Sequence, residues 1–258
     1  HRFASEAGLK LYLVSAASTA IMLFGLSLVY GMSGTTELAG ISHAAKSPLL
    51  GVGMMMTIAG MAFKIGAVPF HLWVPDTYQG APTPVVAFLS VAPKASGLAA
   101  LVLVTAIAFR DDAAQLQWLL LLLVVASIVV GNLMALAQSD VKRLLAFSGI
   151  AQVGYVLAGL AIGSPLGLST ALFYVVGYVV TNMGAFLVLE AVADHRSTVQ
   201  LSDLNGLWKR SPWLALALLT FLLSLAGIPF VVGFWAKLYV FLAVYRSGHA
   251  WLVLFGAL

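Results

Sequence analysis

Three lysines, Lys64, Lys94 and Lys237, lie inside long apolar stretches of the sequence, and no acidic residue lies at comparable depth to neutralise them. Lys64 falls in Leu49–Phe70, Lys94 in Val85–Phe109 and Lys237 in Trp213–Tyr245, each long enough to cross a bilayer. A charged side chain at the bilayer centre costs about 2.5–3.5 kcal/mol on insertion scales, so three cost on the order of 8–10 kcal/mol. Desolvation disfavours the ammonium form, and a lysine held in hydrocarbon can therefore load and release a proton near neutral pH. A fixed structural cation would be expected as arginine, which keeps its proton. The pattern points to proton handling by all three. Snorkelling is the competing account for Lys64 and Lys94, whereas Lys237 follows a helix break and is expected to face the interior.

The elements that must position these lysines are membrane helices. The 258 residues are 62% hydrophobic and only 9% charged, whereas soluble domains carry about 25% charged residues. The sequence predicts an all-α polytopic membrane protein with one transmembrane domain over residues 1–258. Apolar runs bounded by polar or glycine-rich breaks give seven complete spans and the start of an eighth. They are Leu9–Tyr30, Leu49–Phe70, Val85–Phe109, Leu116–Ala137, Leu144–Ile162, Leu166–Ala191, Trp213–Tyr245 and the run from Ala250 onward. Two of them contain helix breakers: Pro69 in the second, and Pro229 within Gly227-Ile228-Pro229 in the seventh. Ala67-Val68-Pro69-Phe70 is echoed by Gly227-Ile228-Pro229-Phe230 five spans later, so the two copies cross in opposite directions, as broken helices of an inverted repeat do. Between Lys64 and Lys94, the stretch from His71 to Pro84 holds three prolines and a glycine and predicts a stiff re-entrant turn.

The remaining polar residues define smaller roles. His71, at the edge of the second span, suits either a proton relay or a hydrogen-bonded turn histidine. Gln152 and Tyr155 lie one turn apart within a span and suit either a water wire or hydrogen bonding between helices. His1, His43, His195 and His249 fall in loops or at ends, which argues against a bis-histidine haem, and the lack of cysteine excludes iron–sulfur ligation and disulfides within the chain. No metal-spaced cluster or nucleotide-binding motif is present. The net charge of +4 is scattered, which argues against a nucleic-acid partner. Alternating loops place Arg2, Lys10, Lys142, Arg143, Arg196, Lys209 and Arg210 on one side and Lys46, Arg110 and Arg246 on the other, which puts the first side in the cytoplasm. A first residue of His, no signal peptide and an apolar run that starts shortly before Leu258 predict an internal piece of a longer protein.

Several stretches together resemble a known family. The run from Phe63 to Pro82 is similar to the proton-antiporter-like membrane subunits of respiratory complex I, and its Tyr78-Gln79-Gly80-Ala81-Pro82 version resembles subunit N (subunit 2 in mitochondria) rather than L or M. Asp140–Ser148, the helix carrying Tyr174, Tyr178, Asn182, Gly184 and Phe186, and Ser224–Pro229 with Gly233, Phe234 and Lys237 resemble the family's further signatures. The resemblance implies a proton-translocating subunit of an NADH–quinone oxidoreductase in a bacterial inner membrane, with Lys64, Lys94 and Lys237 as its channel lysines. It implies no redox cofactor in this chain; NADH, flavin, iron–sulfur clusters and quinone belong to other subunits. The implied partners are other antiporter-like and small membrane subunits, the lateral helix of subunit L, and lipid.

Three departures from the family's pattern stand out. Gln152 occupies a position that is histidine in many members, and Phe230 one that is a second proline. The family's partner glutamate belongs on a helix upstream of the first span. The rival readings are a subunit of a multisubunit cation/proton antiporter and a structural scaffold that has lost pumping; the three intact lysines argue against the scaffold.

Overall fold

In the computed structural model, which describes residues 2–193 and 199–257, the elements are helices. They are α1 (Arg2–Ser33), α2 (Leu38–Ile41), α3 (Pro48–Ile65), α4 (Trp73–Gly80), α5 (Thr83–Leu89), α6 (Ala92–Leu103), α7 (Ala113–Leu136), α8 (Val141–Ala161), α9 (Pro165–Ala193), α10 (Leu207–Arg210), α11 (Pro212–Ala226), α12 (Val232–Arg246) and α13 (Ala250–Ala257). Among the described residues six segments are long and apolar enough to cross a membrane, and the chain is a multi-pass membrane protein. They begin at Ala4, Pro48, Thr83, Gln115, Val141 and Pro165. The helix α8 is apolar on all sides and 89% of its span is buried, as a helix surrounded by others requires. It packs against α4, α7, α9 and α12 and forms the axis around which the lysines are arranged.

Six, not seven, span-length segments are found because the expected crossing at Trp213–Tyr245 is two helices of 15 residues each, α11 and α12. At 1.5 Å per residue each covers about 22 Å, short of a hydrocarbon core of about 30 Å. Gly227 ends α11 in the left-handed conformation (φ 85°), and Ile228 N–H donates to Leu223 C=O at 3.0 Å. The helix α3 ends in the same way: Gly66 is left-handed (φ 73°) and Ala67 N–H donates to Ala62 C=O at 2.9 Å. Both are glycine caps that close the last turn with a six-to-one hydrogen bond.

This cap corrects the register of the sequence repeat. The equivalent glycines are Gly66 and Gly227, so the two prolines differ by one position, Pro69 coming third after its glycine and Pro229 second. The lysines are not equivalent either: Lys64 precedes its break and Lys237 follows its own. Phe230, where many family members have a second proline, is left-handed (φ 81°), a conformation closed to a proline ring.

One further expectation is overturned and one refined. The predicted re-entrant turn is the two-turn helix α4. Pro75 lies in its first turn, where backbone N–H groups lack helical partners in any case, so proline costs no hydrogen bond. The expected span at Val85–Phe109 is present as the crossing-length segment Thr83–Ala108, but it is interrupted at Ser90-Val91, between α5 and α6, and ends in a π-turn over Val104–Ala108. Pro93 has no N–H to give to Leu89 C=O, and this opens the helix at Ser90-Val91, three residues before Lys94.

A polar clamp fixes α4 at one end of the molecule. Asp76 accepts from Arg143 Nη1 at 2.5 Å and from Lys10 Nζ at 2.8 Å, and Lys10 also pairs with Glu6 at 2.7 Å. Burial pushes the Asp76 carboxyl up, but the Lys10 and Arg143 hydrogen bonds and charges outweigh it and hold the group below its ordinary value. A depressed carboxylate contributes stability above its unfolded value of about 3.9, and loses it as pH falls through the lowered folded value. The clamp is therefore intact at neutral pH.

Lys142, placed by the sequence among the loop cations, is instead fully buried, and its Nζ donates to Ala81 C=O at 2.8 Å. It ties the end of α4 to the start of α8. The positive-side assignment loses this residue, and Arg196 lies outside the described residues, as do His1 and His195.

Candidate functional site

Lys94 is the most deeply placed of the three lysines, with only 1% of its surface exposed. It occupies the first turn of α6, directly after the interruption that Pro93 imposes. Such a break leaves carbonyls of α5 without helical donors, and two tyrosines from other elements supply them. Tyr78 O–H, from α4, reaches Leu89 C=O at 3.5 Å, and Tyr178 O–H, from α9, donates to Ser90 C=O at 3.2 Å. Lys94 Nζ donates to the same Tyr178 hydroxyl at 3.3 Å. The nitrogen also lies 5.6 Å from the Tyr178 ring centroid and 5.8 Å from that of Tyr78, within cation–π range. Gly149 of α8 completes the wall. A Cβ there would stand 2.8 Å from Lys94 Nζ and 2.9 Å from Tyr178 Oη, so a larger residue would displace one or both from this arrangement.

Lys237 is seated on the other break. The last carbonyls of α11 are all taken: Leu223 by Gly227 and Ile228 N–H, Ser224 by Gly227 N–H, Leu225 by Gln152 Nε2 at 3.0 Å, and Ala226 by Lys237 Nζ at 3.0 Å. Ser224 Oγ accepts from Gly233 N–H at 3.0 Å, which joins the end of α11 to the start of α12. The negative end of the α11 dipole thus faces the ammonium. Lys237 Nζ lies 4.6 Å from the Tyr155 ring centroid. It is half-buried and lines a cavity of about 700 Å³ together with Asn132, Ser148, Gln152 and Tyr155.

Gln152 and Tyr155 belong to this second site. Gln152 accepts from Tyr174 O–H and donates to α11, so it joins α8, α9 and α11, and Tyr155 Oη accepts from Asn132 Nδ2 at 3.3 Å. Both are engaged in hydrogen bonds between helices. Tyr174 and Tyr178 are successive turns of one face of α9, and their hydroxyls serve the two lysine sites in turn. The sequence singled out neither as a site residue, although their four-residue spacing marks one helical face.

Lys64 is not brought into either site. It lies exposed on α3 with no hydrogen bond or ion pair among the described residues. His71 is half-buried beside Pro69, between α3 and α4, and its Nδ1 is buried without a partner among the described residues. Among the described residues neither Lys94 nor Lys237 pairs with a carboxylate, and no cluster of three or more His, Asp or Glu could hold a metal ion.

The family model described as NADH:quinone oxidoreductase/Mrp antiporter, transmembrane, matches residues 1–258. The chain belongs to this family. It is 47% identical over 258 residues to NADH-quinone oxidoreductase subunit N of Moorella thermoacetica, covering 98% of this chain and 54% of the relative. It superposes with a TM-score of 0.84 on a chain of respiratory complex I from Thermus thermophilus, at 39% identity, covering 97% of this chain and 55% of that one. It superposes on a chain of the Mrp complex from Dietzia sp. with a TM-score of 0.91 at 28% identity, covering 98% of this chain and 48% of the other. The resemblance to subunit N read from the sequence agrees with these relatives, and the chain spans about half the length of the curated relatives it matches.

Proposed function

We propose that the chain is the proton-conducting part of a subunit N in a proton-translocating NADH–quinone oxidoreductase. The observation that carries this reading is the seating of two lysines on helix ends. Lys237 sits directly on the open carbonyl end of α11, and Lys94 reaches that of α5 through Tyr178. Oriented carbonyls stabilise an ammonium without neutralising it as a carboxylate would, so the proton is held and can also leave. Arginine in either place would not release it. Lys94 and Lys237 bind and pass the proton, Pro69 and Pro229 maintain the breaks, and Gln152 and Tyr155 hold the second break against α8. The shared glycine caps of α3 and α11 support an antiporter-like inverted repeat in a single transmembrane domain. The chain carries no redox cofactor. It lies in a bacterial inner membrane, its start and the turn before α8 facing the cytoplasm, beside other antiporter-like and small membrane subunits and the lateral helix of subunit L.

Lys64 acts with a carboxylate from the helix upstream of α1 in the full-length protein. Its exposed position on α3, with no partner among the described residues, motivates this pairing, because an unpaired charge in hydrocarbon is costly. Neutralising that upstream carboxylate is expected to shift the pH profile of coupled turnover, and adding Lys64→Ala is expected to cost much less than the sum of the single effects. Additive effects would contradict the pairing.

The second reading, a subunit of a multisubunit cation/proton antiporter, is favoured by the likeness to the Mrp complex chain. Purification of the full-length protein through an affinity tag decides between them. Co-purification with flavin- and iron–sulfur-containing subunits is expected; a complex of membrane subunits without flavin or iron would instead identify the antiporter.

A further inference from the structure

Lys94 and the interruption behind it share one hydroxyl. Tyr178 Oη lies 3.2 Å from Ser90 O and 3.3 Å from Lys94 Nζ, nearly equal distances, and no other hydrogen bond of Lys94 Nζ is present among the described residues. A phenol has a single hydrogen to donate. When Lys94 is an ammonium, one N–H donates to the tyrosine oxygen and the tyrosine O–H donates to Ser90 C=O, so the hydroxyl serves both neighbours at once. When Lys94 has lost a proton, its nitrogen carries a lone pair. The phenol then has two acceptors and can serve only one of them by rotating about its C–O bond.

We propose that Tyr178 is the positioning residue of the Lys94 site, its hydroxyl turning from the Ser90 carbonyl to the Lys94 nitrogen when Lys94 deprotonates. Each loss of the proton thereby uncaps the end of α5, and each gain caps it again. This ties the charge on Lys94 to the α5–α6 interruption, the point where the helix is already open. The inference rests on the proposed proton role of Lys94. The groups facing Nζ leave the tyrosine unopposed: Tyr78 from α4 presents its ring at 5.8 Å, α8 presents Gly149, and Lys64 of α3 lies exposed on that helix. The Tyr78 hydroxyl is directed at Leu89 C=O.

The test uses the full-length protein in its assembled complex, reconstituted in vesicles, with coupled turnover measured against pH. Tyr178→Phe keeps the ring and removes the oxygen. That oxygen accepts a charge-assisted hydrogen bond from the ammonium, whereas towards the amine the hydroxyl donates a weaker neutral one and gives up its bond to Ser90 C=O, so the charged form loses more. The alkaline limb of the profile is expected to move toward acid by about one pH unit, a tenfold change in the protonated fraction. An unmoved limb, at any rate of turnover, overturns the proposal. Loss of the tyrosine as mere packing would lower the rate without moving the limb.

Should Tyr178→Phe fail to assemble, the wild-type complex labelled with ¹³C at serine carbonyls supplies the second reading, with the Ser90 band assigned by difference from Ser90→Ala. Its infrared frequency is expected to shift with the same pH midpoint as turnover and to stay fixed in Lys94→Arg. A Ser90 band that does not respond to pH in the wild type overturns the proposal. Full pumping by Lys94→Ala would instead remove the proton role on which the inference rests. An inactive Lys94→Ala with an unmoved Tyr178→Phe profile would remove the inference alone.

Discussion

On the proposed function, replacing Lys94 by alanine in the full-length subunit is expected to lower coupled NADH–quinone turnover of the assembled complex by at least roughly tenfold, the lower range for loss of a positioned proton-transfer group being about a hundredfold on the step it serves. Oxidation of NADH by artificial acceptors, which bypasses the membrane arm, continues at its normal rate. Alanine removes the nitrogen that Tyr178 orients and leaves the hydroxyl capping Ser90, so the helix interruption itself is preserved. Lys94→Arg also fails, although it keeps the charge, because a guanidinium does not release its proton. Rates for the two variants separate the possible roles of this residue. If arginine restored turnover, Lys94 would be a fixed cation and not a proton carrier.

The second large effect is structural. Gly233, in the first turn of α12, lies against the last turn of α11, and a Cβ there would stand 1.8 Å from Ser224 O and 2.9 Å from Ser224 Oγ. The obstacle is backbone, which cannot swing aside as a long side chain can. Gly233→Ala must therefore push α12 away from α11, breaking the hydrogen bond from Gly233 N–H to Ser224 Oγ and carrying Lys237 away from Ala226 C=O. Overpacking of this kind costs about 3 kcal/mol or more. Thermal unfolding of the purified complex is expected to show a large loss of stability or no assembled subunit. Gly8→Ala, in α1 where nothing lies within 4 Å, serves as the control and is expected to be neutral or slightly stabilising. Equal stability of the two variants would contradict the close packing of α11 on α12.

The long helices were legible in the sequence because each is an uninterrupted apolar run between polar breaks; α7, α8 and α9 lie within three residues of where the hydrophobic pattern puts them, whereas α1 starts seven residues earlier and α3 ends five residues earlier, at its glycine cap. The breaks at Pro69 and Pro229 were legible for a local reason, a proline close after a glycine. The break before Lys94 carried a local signal as well, Pro93, but it lies inside an apolar run that reads as continuous.

Other features depend on partners distant in the chain. Nothing in the spacing joins Lys94 to Tyr178, 84 residues away, or Lys142 to Ala81. Lys142 and Arg143 are adjacent basic residues, yet a helix turns neighbours about 100° apart, so one enters the core and the other meets Asp76. Lys64 shows the same limit in reverse: an apolar run surrounds it in sequence, while its face of α3 is exposed. The sequence looked for carboxylates as partners of the lysines. The structure supplies a backbone carbonyl at a helix end to Lys237 and the Tyr178 hydroxyl to Lys94, which no inventory of acidic residues reveals.

The proton-to-electron ratio of the assembled Lys94→Ala complex, measured in vesicles from acidification and NADH consumption together, tests the central claim most directly. If Lys94 carries protons through this subunit, the electrons that still pass move fewer protons across the membrane than in the wild type. An unchanged ratio in a fully assembled Lys94→Ala complex would show that Lys94 is not in the proton path.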